Sequence, residues 1–113
     1  MNNDHELLEL AAKAAGYDSA IDMYGYNEIG EPLIDANDPP TVWNPLTDDG
    51  DALRLAVKLE MHVYVGTHTV VAEICSDSEE PPILEKVFVE SDPYVATRRA
   101  IVRAAAEIGR NMK

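Results

Sequence analysis

The sequence predicts a single small α+β domain, a sandwich in the order helix, long loop, helix, three antiparallel strands and helix. Three observations lead to this fold class. Apolar residues recur at helical spacing near both ends of the chain, and they alternate with other residues between positions 61 and 75. No internal repeat and no linker divides the 113 residues, so one domain is expected to span residues 1–113.

The first element is a helix that begins near Asp4. Asn3 can cap it, and Glu6 three residues later completes a pattern similar to a capping box. Gly16 can adopt the left-handed conformation that ends a helix. The apolar side chains between these signals predict a buried stripe, which consists of Leu7, Leu8, Ala11, Ala14 and Ala15.

A long loop over residues 17–46 follows this helix. Glycines and prolines recur along it and interrupt any long helix. The loop also holds four of the seven aromatic residues of the chain, which favours an ordered loop that packs on the domain. Loops of this length in small domains are usually functional or disordered, so we expect the binding surface here.

The second helix is predicted to begin at Thr47, which is a good N-cap residue. Acidic residues follow at once and favour the positive end of the helix dipole: Asp48, Asp49 and Asp51. Trp43 and Leu46 precede the cap and can form a hydrophobic staple, while Pro45 stiffens the entry of the chain. We therefore interpret residues 43–47 as a structural motif, with Trp43 buried against the second helix or the sheet.

Residues 61–65 and 68–75 are predicted to form a β-hairpin, with Gly66 and Thr67 as a two-residue turn that has glycine first. One face of this hairpin is apolar and consists of Met61, Val63, Val65, Val70, Ala72 and Ile74, with His68 at its end. The other face is mixed and consists of His62, Tyr64, Thr69, Val71, Glu73 and Cys75. A mixed face suggests partial cover by the long loop or by another subunit.

An acidic turn over residues 76–82 leads to a third strand over residues 83–90, which is rich in Val and contains Phe88. Ser91 or Asp92 then caps the last helix, with Pro93 in its first turn. The buried stripe of this helix is expected to hold Tyr94, Val95, Ile101, Val102, Ala105 and Ile108. Arg98, Arg99 and Arg103 are expected on its solvent side.

Two segments of the chain resemble the small phage and prophage proteins grouped as the phage ABA-sandwich domain. Residues 43–56 read Trp-Asn-Pro-Leu-Thr-Asp-Asp-Gly-Asp-Ala-Leu-Arg-Leu-Ala, and residues 96–106 read Ala-Thr-Arg-Arg-Ala-Ile-Val-Arg-Ala-Ala-Ala. The resemblance extends from the first helix to the end of the chain and is weakest over residues 17–42. It implies a sheet between helical layers and a phage or prophage origin. It implies no catalytic residue, because the family has as a class no established activity.

The composition excludes several classes of function. A net charge of −12 argues against binding to nucleic acid, polyphosphate or an anionic membrane. No apolar stretch approaches the length of a membrane span, and the first residues do not resemble a secretory signal. The single cysteine, Cys75, excludes an internal disulfide framework and fits a reducing compartment. These observations predict an intracellular protein, and the resemblance to phage proteins implies the cytoplasm of a bacterial host.

Catalytic, metal and cofactor motifs are not evident, so we predict a protein that is not an enzyme and that uses no cofactor and no metal. The aspartates near residue 50 lack the glycine and glutamate that an EF-hand loop needs. His62 and His68 are predicted on opposite faces of the hairpin, without the further histidine or cysteine that a zinc site needs. No nucleophile elbow, phosphate-binding loop or dinucleotide fingerprint occurs.

The charge distribution suggests how the protein works. Residues 1–50 hold eleven acids and one base, Lys13, whereas residues 51–113 hold ten acids and eight bases. An acidic surface with aromatic anchors can dock on a basic partner. The predicted contact residues are Tyr24, Tyr26, Glu28, Glu31, Asp35 and Asp38. Together with the phage origin that the resemblance implies, this charge predicts a host protein with a basic surface as partner. Inhibition of a host defence system, anti-CRISPR-like or by nucleic-acid mimicry, is one form of this function.

Other functions stay open at this point. One is the binding of a small ligand, for example a nucleotide signal, by Arg98, Arg99 and Arg103 together with the loop aromatics. Another is a minor role in phage replication or assembly. The mixed face of the hairpin also leaves room for a homodimer. The sequence favours protein binding because charge asymmetry is its most pronounced feature.

Overall fold

The computed structural model describes residues 3–75 and 81–112 of the chain. It contains helix α1 (Asn3–Ala15), helix α2 (Asp18–Tyr24), helix α3 (Asp49–Lys58), strands β1 (His62–Val65), β2 (Thr69–Ile74) and β3 (Ile83–Phe88), and helix α4 (Pro93–Asn111). The predicted α+β class and the order of the main elements are confirmed. The predicted acidic turn lies outside the described residues, except for its last two positions, 81 and 82.

The three strands form one antiparallel sheet in the order β1-β2-β3. Val63 pairs with Ala72 and Val65 pairs with Val70, so the apolar face of the hairpin is the predicted one. Val70 pairs in turn with Val87 of β3, which extends this inner face across the sheet. Val70, Ala72 and Val87 are buried.

The predicted hairpin turn is wrong. Because Val65 pairs with Val70, four residues rather than two lie between the last two paired residues of the hairpin. The Gly66 N–H donates to the carbonyl of Thr69 at 2.9 Å, which closes this wider loop. Gly66 does not have the positive φ that a two-residue turn with glycine first requires. Since two and four are both even numbers, the wrong turn left the assignment of the faces unchanged.

Helix α4 is the middle layer of the molecule. Its Ala96, Ala100 and Ala104 pack with the inner face of the sheet. Its other side packs on α1 and α3 through Ile101, Val102 and Ala105. The contact with α1 is so close that a side chain on Gly109 would place its Cβ 1.9 Å from the carbonyl oxygen of Leu10. Small residues on α4 therefore allow it to lie between two layers.

The outer face of the sheet is open in the described part of the chain. Tyr64, Leu84 and Phe88 are 56%, 54% and 67% exposed there. The layer order is thus sheet, α4 and α1, and it differs from the sheet between helical layers that the family resemblance implies. The described residues of the long loop do not provide the cover that the mixed face suggested.

The long loop is ordered and begins with a helix that the sequence did not predict. Helix α2 occupies residues 18–24 and ends at Gly25, which has a φ of 76°. Two isolated bridges follow, between Tyr26 and Pro32 and between Leu33 and Val42. Tyr17, Ile34 and Trp43 pack on the core. No helix in the described residues is both long enough and apolar enough to cross a membrane.

Candidate functional site

The motif at residues 43–47, just before helix α3, supports the fold. Trp43 is only 2% exposed and lies in the core cluster with Ala52 and Leu55 of α3. The ring of Tyr17 meets it edge-on with 5.4 Å between the ring centres. The predicted burial of Trp43 is confirmed.

The predicted N-cap of this helix is off by one residue. Asp48 is the cap, since its extended backbone lets its carboxylate accept the N–H of Asp51 at 2.8 Å. Thr47 instead lies in the preceding turn, where its N–H donates to the Asn44 carbonyl at 3.1 Å. Leu46 therefore stands two residues before the cap, partly buried against the core. Pro45 is fully buried.

Asp51 and Asn44 connect the motif to the long loop. One carboxylate oxygen of Asp51 accepts the Asn44 N–H at 2.9 Å, and the other accepts from the guanidinium of Arg54 at 2.8 Å. The hydrogen bond that Arg54 donates to Asp51 raises the pKa of Arg54. The side-chain amide of Asn44 donates to Glu31 at 2.8 Å. Asp51 and Asn44 are both buried and both hydrogen-bonded within the domain, so they serve the fold.

Two of the predicted contact acids hold the loop together. Glu31 accepts from the Asn44 amide and also from the Asn27 amide at 2.9 Å. Asp35 accepts the backbone N–H of Thr41 at 2.9 Å and that of Asn37 at 3.0 Å. Hydrogen bonding to Thr41 and then to Asn37 holds the pKa of Asp35 below its usual value. These two carboxylates shape the loop whether or not they also contact a partner.

The other predicted contact residues are accessible. Glu28 and Asp38 are exposed, and Tyr24 is 38% exposed. Tyr26 is 39% exposed, and its hydroxyl donates to Glu9 of α1 at 3.1 Å. Partial burial, followed by this hydrogen bond to Glu9, raises the pKa of Tyr26. Tyr26 therefore anchors the loop to α1 and stays partly exposed.

Negative charge without a counter-ion concentrates in this first part of the chain. Among the described residues, the acids between positions 6 and 38 that form no ion pair are Glu6, Asp18, Asp22, Glu28, Glu31, Asp35 and Asp38. Lys13 is the one base in this stretch, and its ammonium donates to the carbonyl of Met112 at 2.9 Å. The first part of the chain therefore has not only an excess of acidic residues but also an excess of negative charge without counter-ions.

The three arginines of the alternative ligand site do not converge. Arg98 pairs with Asp49 at 2.5 Å and also donates to the Leu46 carbonyl at 2.9 Å. Arg99 pairs with Asp4 of α1 at 3.2 Å, and Arg103 pairs with Glu85 of β3 at 3.1 Å. Each arginine binds a carboxylate on a different element. This arrangement disfavours them as a joint phosphate site.

An apolar groove that the sequence did not predict lies between α3, β1 and the start of α4. Its volume is about 510 Å³, within the usual range for small-molecule sites. Apolar side chains dominate its walls: Leu53, Ala56, Val63, Val65, Tyr94 and Ile101. The Asp49–Arg98 ion pair lies at its margin. Because three separate elements build the groove, periodicity within any one of them could not reveal it.

A cluster of three possible metal ligands lies on the outer face of the sheet. His62, Glu73 and Cys75 each offer one ligand atom, and these atoms all lie within 4.8 Å of one another. Alternation predicts these three residues on one face of the hairpin, whereas the zinc site weighed from the sequence combined His62 with His68. The sequence does not give the strand register, which pairs His62 with Glu73.

Comparisons of the chain with family models, with curated proteins and with solved structures find no match. The resemblance to the phage ABA-sandwich family therefore stays a prediction from the residues quoted above.

Proposed function

We propose that this chain is a non-enzymatic binding protein that docks its acidic first half on a basic surface of a host protein. The observation that supports this proposal is the set of acids at positions 6–38 that have no counter-ion among the described residues. An uncompensated surface of one sign accelerates encounter with a surface of the opposite sign.

The predicted contact residues would have two different roles in binding. Glu28 and Asp38 are exposed and would steer the encounter, while Tyr24 would supply an aromatic anchor that is desolvated on binding. Glu31, Asp35 and Tyr26 would present these residues in a fixed conformation, because each is held by hydrogen bonds within the domain. A loop that is ordered before binding loses less conformational entropy in the complex.

The nature of the partner rests on charge and on the resemblance to phage proteins. A basic protein surface in the host is suited to an acidic ligand, and many such surfaces bind nucleic acid. A phage protein that occupies such a surface would act as a nucleic-acid mimic and would block a host defence system in the cytoplasm. A role in phage replication or assembly would use the same acidic surface on a different basic partner.

The test is a capture from bacterial host lysate at low and high salt, followed by association kinetics with each purified basic protein so identified. Changing Glu28→Gln together with Asp38→Asn should leave folding intact, slow association and reduce its salt dependence, because exposed acids contribute little to stability. The matched control is Glu60→Gln with Glu90→Gln, which removes the same charge from two exposed positions in the second half. Equal effects of both pairs would reject the loop as the contact.

The apolar groove supports a second candidate function, the binding of a small neutral apolar molecule. Its walls carry few polar groups, and the one arginine at its margin is already paired with Asp49. The neutral dye Nile red should gain fluorescence with the folded chain and lose this gain in the Leu53→Gln, Val65→Gln variant. Leu84→Gln with Phe88→Gln is the control, since it removes exposed apolar side chains from the opposite face. Equal losses in both variants would reject the groove as a specific site.

A homodimer would use the outer face of the sheet. Tyr64, Leu84 and Phe88 expose apolar area there that a second copy could bury. Sedimentation over a wide range of protein concentration tests this proposal, and a monomer at every concentration would reject it.

A further inference from the structure

We propose that His62, Glu73 and Cys75 form a binding site for a zinc ion on the outer face of the sheet. The register brings the residues together. His62 of β1 pairs directly with Glu73 of β2, and side chains of directly paired residues are neighbours on one face. Cys75 follows Glu73 by two positions, which returns its side chain to the same face. The site stands independently of the proposed function.

The distances are close to those that a metal ion needs. The Nδ1 atom of His62 lies 3.6 Å from the Oε1 atom of Glu73, and ligand atoms of all three residues lie within 4.8 Å of one another. Tetrahedral zinc with ordinary bond lengths holds nitrogen, oxygen and sulfur ligands about 3.3–3.5 Å apart. The exposed side chains of His62 and Cys75 can make the remaining approach, at most about 1.5 Å, by rotation.

The donor set selects the class of metal. A thiolate and an imidazole suit zinc and similar transition metals, whereas magnesium and calcium prefer oxygen ligands. Three protein ligands leave a fourth position of the tetrahedron for water. When zinc binds Cys75, a Zn–S bond replaces the S–H bond and the proton passes to solvent, so no oxidant or reductant is needed.

The surroundings of Glu73 support its role as a ligand. The Tyr64 hydroxyl lies 3.5 Å from the Oε1 atom of Glu73 and can donate a hydrogen bond to it. Such contacts orient a ligating carboxylate. The side chain of Glu73 is 22% exposed, compared with 61% for His62, and Cys75 is also exposed, so the carboxylate is the most buried ligand of the site. A metal here would connect the edge strand β1 to the end of β2.

The experiment titrates the metal-free full chain with Co²⁺, a spectroscopic substitute for zinc, in the presence of a phosphine reductant. We expect one ion per chain, a thiolate-to-cobalt charge-transfer band, and displacement of the cobalt by Zn²⁺. Cys75→Ser should abolish the band. His62→Gln and Glu73→Gln should each weaken affinity at least about tenfold, since even outer-shell changes cost this much.

The control is His68→Gln, because His68 is an exposed histidine near the same hairpin but outside the cluster. It should bind cobalt as the unchanged chain does. Circular dichroism spectra and melting curves establish that each variant is folded. The absence of a thiolate band, or a band that survives His62→Gln or Glu73→Gln with unchanged affinity, would overturn the three-ligand site. One ion per two chains would overturn a site within a single chain.

Discussion

At the scale of single residues, burial separates the structural parts of the motif from the functional candidates. Trp43 and Asp51 are buried, whereas Glu28 and Asp38 are exposed. The burial of Trp43 could be predicted, because an indole just before a helix cap has a core within reach. The burial of Asp51 could not be predicted, because three neighbouring aspartates at a helix start look alike in sequence. The start of the helix at Asp49 decides which of them faces the loop.

Trp43→Ala is expected to lower the free energy of unfolding by about 3–5 kcal/mol, the usual range for removal of a large buried aromatic side chain. The lost contacts include the ring of Tyr17 and the core side of α3. Urea unfolding followed by circular dichroism measures the change. A variant with unchanged stability and no partner binding would instead make Trp43 an anchor for the partner.

At the scale of elements, the cap of α3 is a sharp test of the local structure. Asp48→Ala removes the carboxylate that accepts the Asp51 N–H and should destabilise the protein by about 0.5–2 kcal/mol. Thr47→Ala should change stability by no more than about 0.5 kcal/mol, the usual range for a surface position away from such features. Thermal unfolding of the two variants under identical conditions compares them. A larger loss for Thr47→Ala would restore the cap predicted from sequence.

Helices, strands and their buried faces could be predicted wherever a single hydrophobic periodicity dominates the segment. The two faces of each strand could be predicted from alternation alone. The error in the predicted turn did not change them, because lengthening the turn by two residues keeps every side chain on the same face. Helix α2 was missed, since seven residues before Gly25 are too few for a clear helical period. The pairing of His62 with Glu73 needs the exact register, which the loop after Val65 determines. Alternation carries no information on that loop.

At the scale of the whole molecule, the layer order and the groove depend on how separate elements pack. The alanines of α4 that face the sheet and the residues that face α1 are both apolar, so a single amphipathic stripe does not describe this helix. A helix that is apolar on two sides is suited to the middle of a domain. Its alanine-rich sequence could have indicated this position, whereas the groove between α3, β1 and α4 could not have been read from any one segment.

The net charge of −12 leads to a last prediction about stability. Because most acids at positions 6–38 lack counter-ions among the described residues, repulsion should outweigh the surface ion pairs that the arginines of α4 form. Raising NaCl from about 0.02 M to about 0.2 M shortens the screening length to less than about 10 Å and should raise the free energy of unfolding in urea. The Glu28→Gln, Asp38→Asn variant should gain less from salt than the unchanged chain, because part of the repulsion is already gone. A loss of stability with salt would mean that the ion pairs of α4 dominate, and the acidic surface would then be too weakly charged to steer a partner.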